Sequence, residues 1–380
     1  MSLGIIDRFL LRQYLMTFVV CFVSMTGLYI VFDAFTNLDS FFEAAEEHGS
    51  LWDLMVRYYS FRAILFFDRT SGILALIAAM FTVTQLQRHN EMTALSAAGV
   101  SNVRVVAPII AAAGCIAVLA AIDREIVLPQ FRNELVQTPD RLAGNKAEPF
   151  QSRWDNKTNI FFSGSRVYVA NKQIREPNFL LPAGLDLYGA ELIAEDAFYR
   201  EPEPGRPGGY LLQEVAQPRT LDAKPSINGA EGLPVILTPY DTPWLKPGEC
   251  FVVSEINFEQ MTGGNGWKKY SSVAEMVRGL ENDSLSFGAD VKVAIHSRVL
   301  QPFLDMTLLF LGLPLTLTRA NRNVFAATGI CAFVVGIFTV VIFGAQYLGE
   351  AIYVTPHLAA WLPLILFVPV AVWMFEPLRR

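Results

Sequence analysis

Long apolar runs separated by short polar segments occupy both ends of the chain, and a polar stretch fills the middle. A bilayer core takes about 20 mostly apolar residues per helix. Tyr14 to Phe32, Val105 to Ile122, Val299 to Leu317, Val324 to Leu348 and Leu358 to Phe375 all reach membrane length, with Asp305 the one charge among them. Phe61 to Val83 has the length but carries Arg62, Asp68 and Arg69 in its first half. We read it as a span whose first two turns lie near the outer interface or face a polar cavity. The spans are expected at about 13–36, 61–84, 104–122, 299–317, 324–348 and 358–375, with a short helix at about 88–99. The first run is too long for a signal-peptide core and has no convincing small-residue cleavage site after it.

Between the two sets of spans, residues 123–297 hold no membrane-length run and carry most of the prolines. Short stretches of strand-like composition recur there between turn signals: 159–162, 166–170, 184–188, 210–213, 233–237 and 250–253. That spacing suggests an all-β sandwich or jelly roll. Ser272 followed by Glu275 predicts one short helix over 272–280 with a capping box. The expected fold is therefore a membrane α-helical bundle of three plus three helices (1–122 and 298–380) with an inserted jelly-roll-like β domain. No internal repeat is visible beyond that arrangement.

Composition agrees with the pattern: of 380 residues 52% are hydrophobic and only 17% charged, too oily for an ordinary soluble enzyme. A net charge of -6 excludes a basic nucleic-acid surface covering the whole chain. Four cysteines, three of them (Cys21, Cys115, Cys331) in apolar runs, exclude a disulfide scaffold. Orientation follows from Lys and Arg in short loops. With the N-terminus inside, the cytoplasmic segments carry Arg8, Arg12, Arg88, Arg104, Arg319, Arg322, Arg379 and Arg380. The short outer segments carry Arg57 but otherwise Asp39, Glu43, Glu46, Glu47, Asp53 and Glu350. Both termini are then cytoplasmic, and the β domain lies outside the cytoplasmic membrane.

The loop after the second span, Gln85 to Arg104, holds the most specific pattern. Asn90 is suited to cap a short helix on which Met92 and Leu95 share a face, and Gly99 suits its stop. With Arg88 and Glu91 at its polar start, such a helix could dock into a soluble partner; the competing reading is an amphipathic connector at the lipid interface.

Here the chain resembles a known family. Arg88-x-x-Glu91 followed by Ala97-Ala-Gly99-Val-Ser101 is similar to the loop between the second and third spans of the LptF/LptG permeases, which export lipopolysaccharide. Ile6-Asp-Arg-Phe9, Leu128-Pro-Gln130 and His296-Ser-Arg298 with Pro302 before Leu311-Gly-Leu-Pro314 continue the likeness. It covers nearly the whole chain and is weakest between about Glu148 and Gly248. The resemblance implies a permease subunit of an ATP-driven exporter in the inner membrane of a Gram-negative-type bacterium. Its partners would be an LptB-like cytoplasmic ATPase dimer, a paralogous or identical permease, an LptC/LptA-like periplasmic bridge and a lipopolysaccharide-type glycolipid. Arg88, Glu91, Met92, Leu95 and Gly99 would form the coupling helix seated in the ATPase. The first and fifth spans would meet those of the second permease and form a lateral gate.

An acidic glycolipid calls for cationic walls. Arg62, Arg69, Arg124 and Arg132 are the cationic candidates for its path, with Asp33 a further candidate position, against the plainer reading that Arg62 snorkels, Asp68 pairs with Arg69, and Arg124 and Arg132 are solvated. Asp33 and Asp39 depart from the resemblance, since that end of the first span tends to be basic in the family. Either the substrate's charges sit elsewhere or this is the less substrate-engaged subunit. Asp305 is expected to face the bundle interior as a polar helix contact, not a proton relay.

Enzymatic constellations are thin. No G-x-x-x-x-G-K-[ST] phosphate loop occurs, so ATP is not bound in that manner. His48, His89, His296 and His357 are scattered, no metal or other cofactor is expected, and 163–165 and 263–266 read as turns. Gly336 and Gly344 read as close-packing positions suited to a subunit interface. Two further readings stay open: a permease that transmits mechanical work to a periplasmic partner without moving lipid, and a membrane-anchored scaffold whose β domain docks envelope enzymes.

Overall fold

Inside a bilayer no water meets the backbone, so each apolar run must pair its own N–H and C=O groups as a helix. In the computed structural model, residues 4–136, 148–150, 152–168, 171–186, 189–229, 232–262, 264–282, 288–317 and 324–376 are described. Among them six helices are long and apolar enough to span a membrane. They are α1 (Ile5–Thr36), α3 (Leu51–Arg88), α5 (Asn102–Gln130, with a π turn at Asp123–Val127), α7 (Ala289–Leu317), α8 (Val324–Glu350) and α9 (Pro356–Phe375). Three shorter helices are used below: α2 (Leu38–His48), α4 (Glu91–Ala97) and α6 (Val273–Leu280).

The chain divides into two compact units. The membrane unit comprises Met1–Leu38, Trp52–Leu135 and Gly288–Arg380, and the β unit comprises Asp39–Leu51 and Val136–Phe287. The first boundary therefore falls later than residue 122, because α5 runs on for two more turns. A second difference is that α2, read from sequence as an outer loop, belongs to the β unit; it buries Phe41 and Ala44 completely.

Within the membrane unit an aromatic seam joins α1 to α3. Phe18 and Phe22 meet the Phe67 ring edge-on at 6.5 and 5.7 Å, and Tyr29 stacks on Phe66 at 5.5 Å. Tyr14, fully buried, donates its hydroxyl to the Ala75 carbonyl at 3.3 Å. Such ring pairs contribute about 0.5–1.5 kcal/mol each beyond their burial. Helices α3 and α7 approach closely through one glycine on each. A Cβ on Gly72 would strike the Asp305 carboxylate, and one on Gly312 would strike the Leu76 side chain.

In the β unit the described strands are β1 (Glu148–Pro149), β2 (Arg153–Asp155), β3 (Ile160–Ser163), β4 (Arg166–Tyr168), β5 (Gln173–Arg175) and β6 (Asn178–Leu180). Five more follow: β7 (Glu191–Arg200), β8 (Gly209–Gln217), β9 (Ile227–Asn228), β10 (Pro234–Leu237) and β11 (Cys250–Val253). The main path runs β1-β4-β5-β7-β8-β11-β10-β9, and a branch β2-β3-β6 joins at β7. Every pairing is antiparallel. The fork works because β7 is long: Glu191–Ile193 pair with β6 while Asp196–Phe198 pair with β5. Phe162, Phe179 and Tyr210 fill the core, with Tyr210 donating to the Ile256 carbonyl at 3.2 Å. Asp155, also fully buried, is satisfied by the backbone N–H groups of Lys157 and Thr158 and by the Ser254 hydroxyl.

Two of the expected segments differ. Residues 183–185 form a turn, not a strand, with Gly184 at φ +104° and the rest of that segment (187–188) outside the described residues. Gly263 also lies outside them, but Gly264–Tyr270 is helical, not a turn. The helix at 272–280 forms as expected, with Ser272 and Glu275 each accepting the other's backbone N–H.

Gly209 opens β8 where a Cβ would collide with the Val252 carbonyl oxygen of β11. Gly209→Ala should cost the β unit roughly 2–3 kcal/mol. Cys250 reports it, because its thiol is fully buried and burial pushes its pKa up to about 12. Maleimide at neutral pH should leave Cys250 unlabelled in the intact protein and label it measurably faster in the variant. Equal labelling rates would refute the clash.

Candidate functional site

The loop between α3 and α5 forms the expected helix, by a partly different route. Asn90 precedes α4 in the left-handed region (φ 58°) and makes no side-chain cap, contrary to the sequence reading. Asparagine tolerates that conformation, so it supplies the chain reversal after α3. The stop is a complete Schellman motif. Gly99, at φ +82°, donates its N–H to the Ser96 carbonyl, and Val100 donates to Leu95, both at 3.0 Å.

Exposure divides α4 into two faces. Arg88 and Glu91 are exposed, while Met92 is buried in the membrane unit's own core and Leu95 packs against it. The side chains expected to dock together into a partner thus separate: Met92 and Leu95 anchor the helix from behind, and Arg88 and Glu91 face outward. Two contacts fix this end of the bundle. Arg104 pairs with Asp7 at 3.2 Å, and Gln87 donates to the Thr316 carbonyl at 2.9 Å. The starts of α1 and α5 and the ends of α3 and α7 therefore share one end of the membrane unit. Arg8, Arg12, Arg88 and Arg104 all lie there; Arg319, Arg322, Arg379 and Arg380 lie outside the described residues.

The charged positions of the bundle are also sorted. Asp68 does not pair with Arg69. Its Oδ1 accepts from both Nε and Nη2 of Arg124 at 2.7 Å, and both side chains are about seven-eighths buried (13% and 12% exposed). Arg124 is accordingly not solvated. It sits in the π turn that carries α5 past the apolar run. Arg69 is exposed. Arg62 lies over the Tyr58 ring at 5.0 Å. Arg132 is partly buried and opens a short helix, Arg132–Val136.

Asp33 accepts from the Tyr59 hydroxyl at 3.0 Å. Asp39 lies on α2, in the β unit. Asp305 turns inward as expected, held by the Gln301 amide at 3.0 Å beside a void of about 10 Å³ lined by Ser71, Gly72 and Met306 among others. That is room for about one water molecule. Sequence reading treated His296 and His357 as scattered, yet their ring centroids are 4.1 Å apart. Only the pairing of α7 with α9 reveals it.

Six apolar helices among the described residues, in two groups of three on either side of an antiparallel β unit in the sequence and with a short helix on one loop, define the class as a polytopic membrane protein with an inserted β unit. The profile of the family described as lipopolysaccharide export system permease LptF/LptG matches residues 8–179 and 253–377, and the chain belongs to that family. The unmatched stretch falls inside the β unit. Among curated proteins none matches the chain.

The Asp68–Arg124 pair makes a quantitative prediction. Removing one partner of a buried pair leaves an uncompensated charge and costs about 3–5 kcal/mol, whereas replacing both by apolar residues can be neutral. Arg124→Met should sharply lower the thermal unfolding midpoint of the full chain in micelles, and Asp68→Leu/Arg124→Met should recover most of the loss. A double variant no better than the single one would show that the pair is not the dominant contact of either residue.

Proposed function

We propose that this chain is the permease subunit of an ATP-driven exporter that extracts a lipopolysaccharide-type glycolipid from the inner membrane and passes it to a periplasmic bridge. Family membership over most of the chain is the observation that carries the reading. ATP hydrolysis is assigned to a separate cytoplasmic ATPase dimer, engaged by the outward face of α4 through Arg88 and Glu91. The basic rim is the cytoplasmic side, which places both termini there and the β unit in the periplasm.

Helices α1 and α8 support pairing with a second permease subunit. Each leaves a broad apolar face open, including Val23 and Phe32 on α1 and Phe333, Val340 and Phe343 on α8. A Cβ on Gly329, Gly336 or Gly344 would meet nothing within 4 Å. Gly336 and Gly344 therefore meet no neighbour among the described residues, which leaves room for a helix of a second subunit to come close. The glycolipid would enter between these faces, with Arg62 and Arg69 as candidates along its path, while Arg124 is held by Asp68.

Three measurements test the reading. Glu91→Ala should weaken co-purification with the ATPase by on the order of tenfold, the loss of one charge-assisted contact. Met92→Ala should instead lower the permease's own unfolding midpoint, since Met92 packs inside the chain. If Glu91→Ala kept full assembly and ATPase-coupled export, the coupling assignment would be wrong. A photocrosslinking residue at Val23 or Val340 should capture glycolipid in the intact complex; capture at neither position would favour a permease that does no lipid transport.

A further inference from the structure

The first turns of α7, the end of α8 and the start of α9 converge on one glycine. A Cβ on Gly349 would strike the Ala359 Cβ and the Val293 side chain, so the three helices meet there at close range. His296 stands one turn after Val293 and is half-buried; His357 stands two residues before Ala359, exposed in the first turn of α9. Their ring centroids are 4.1 Å apart and the rings are tilted by 52°. Neither ring hydrogen-bonds to a described residue, so no carboxylate or carbonyl fixes where a proton sits. The other titratable groups at this end of the three helices are Asp290, Lys292 and Arg298 of α7, Tyr347 and Glu350 of α8, and Tyr353 in the turn before α9. The charge that acts on His296 is nevertheless that of His357. Among the described residues no third His, Cys, Asp or Glu joins the pair to complete a metal-ligand set. Two imidazoles fall short of the three or four protein ligands that a resident zinc takes, so the exchangeable cation of this pair is the proton.

We propose that His296 and His357 form a proton-operated latch that holds the start of α9 against α7, closed while at most one ring is charged and released when both are. A neutral pair packs ring against ring, and one imidazolium is attracted to the face of a neutral ring. Two imidazolium rings at this separation repel. A positive charge on His357 also faces the positive end of α9. Thr355, at the N-cap of α9, makes no side-chain cap, so that first turn lacks a common restraint. The contact is therefore complete above the imidazole range and is lost as pH falls through it. Its release opens the packing on Gly349 and frees the end of α8, the helix that keeps a broad apolar face open. Only the compartment whose pH is read rests on the orientation proposed above, which makes it the periplasm. The latch itself depends on neither the cargo nor the ATPase.

Backbone hydrogen exchange of the full-length permease, with its co-purifying partners in nanodiscs, tests the latch. A nanodisc exposes both ends of the protein to one pH, so the result does not depend on orientation. After correction for the chemical exchange rate, amides over 349–360 should exchange on the order of tenfold faster at about pH 5 than at about pH 7.5, while those of α3 and α5 stay unchanged. His357→Gln removes the second charge at an exposed position and should keep the segment slow at both pH values. His296→Phe/His357→Phe, which keeps two packed rings, should do the same. The chain has only four histidines, so NMR of labelled histidine can follow each one. His296 and His357 should titrate as a coupled pair, and His357 should return to a single step in His296→Phe. Equal protection of the wild type at both pH values overturns the proposal, as does an acid-induced rise that persists in His357→Gln. A rise that spreads to α3 and α5 is general unfolding and overturns it too. Loosening by a chelator at neutral pH would make the pair a metal clamp in place of a proton latch.

Discussion

The ion pair between Asp68 and Arg124 is the contact around which α3, α5 and α7 are arranged. A charge inside a bundle is tolerated only when it is paired and hydrogen-bonded. Here one carboxylate oxygen receives two N–H groups from a single guanidinium. To reach it, α5 continues beyond its apolar run and widens into a π turn at Asp123–Val127, an insertion that recurs at functional positions in helices. The pair thus explains both an α3 that carries charges within its membrane-length run and an α5 that outlasts its hydrophobic sequence. Asp305 lies within electrostatic range of the same two residues, and Gly72 gives it room to turn inward, so α7 joins the cluster. Polar chemistry, not hydrophobicity, sets the register among α3, α5 and α7, because lipid gives apolar side chains little preference for one helix neighbour over another.

That account also shows what the sequence could reveal. Uninterrupted runs marked four spans without ambiguity, since nothing else explains eighteen or more uncharged residues, and a fifth run is broken only by Asp305. The start of α3 was obscured by Arg62, Asp68 and Arg69, whose partners are distant in sequence: Asp68 reaches 56 positions to Arg124. Periodicity cannot register such a pairing. The capping box at Ser272 and the stop at Gly99 were legible because both are local backbone chemistry. The orientation of Met92 was not legible, for the opposite reason. Its spacing shows that it shares a face with Leu95, but not whether that face turns toward a partner or toward the chain's own core.

In the β unit the longest strand, β7, escaped notice. Its sequence, Glu191 to Arg200, mixes acids and alanines, and a register shift at Ile193/Ala194 breaks the alternation on which strand reading depends. Its identity comes from its neighbours: β6, β5 and β8 all pair with it, so it carries hydrogen bonds along both edges and buries Leu192, Ala194 and Ala197. The short strands were easier to see because aromatic and β-branched residues dominate them. A strand that is central by topology need not be the most strand-like by composition.

The helices differ in how much of their surface the chain itself covers, and the difference follows from where polar groups were placed. Asp68, Arg124, Gln301 and Asp305 draw α3, α5 and α7 into the interior of the membrane unit. Helices α1 and α8 contain no charged residue within their apolar runs, and they keep the widest open apolar faces. A helix face without polar contacts is held by packing alone and can exchange a lipid neighbour for a protein one at small cost. The aromatic seam fixes one side of α1 against α3 and leaves the other side free. Under the export function proposed above, a gate that admits a lipid would sit on the helices whose neighbours are interchangeable. The charged cluster belongs on those whose neighbours are not.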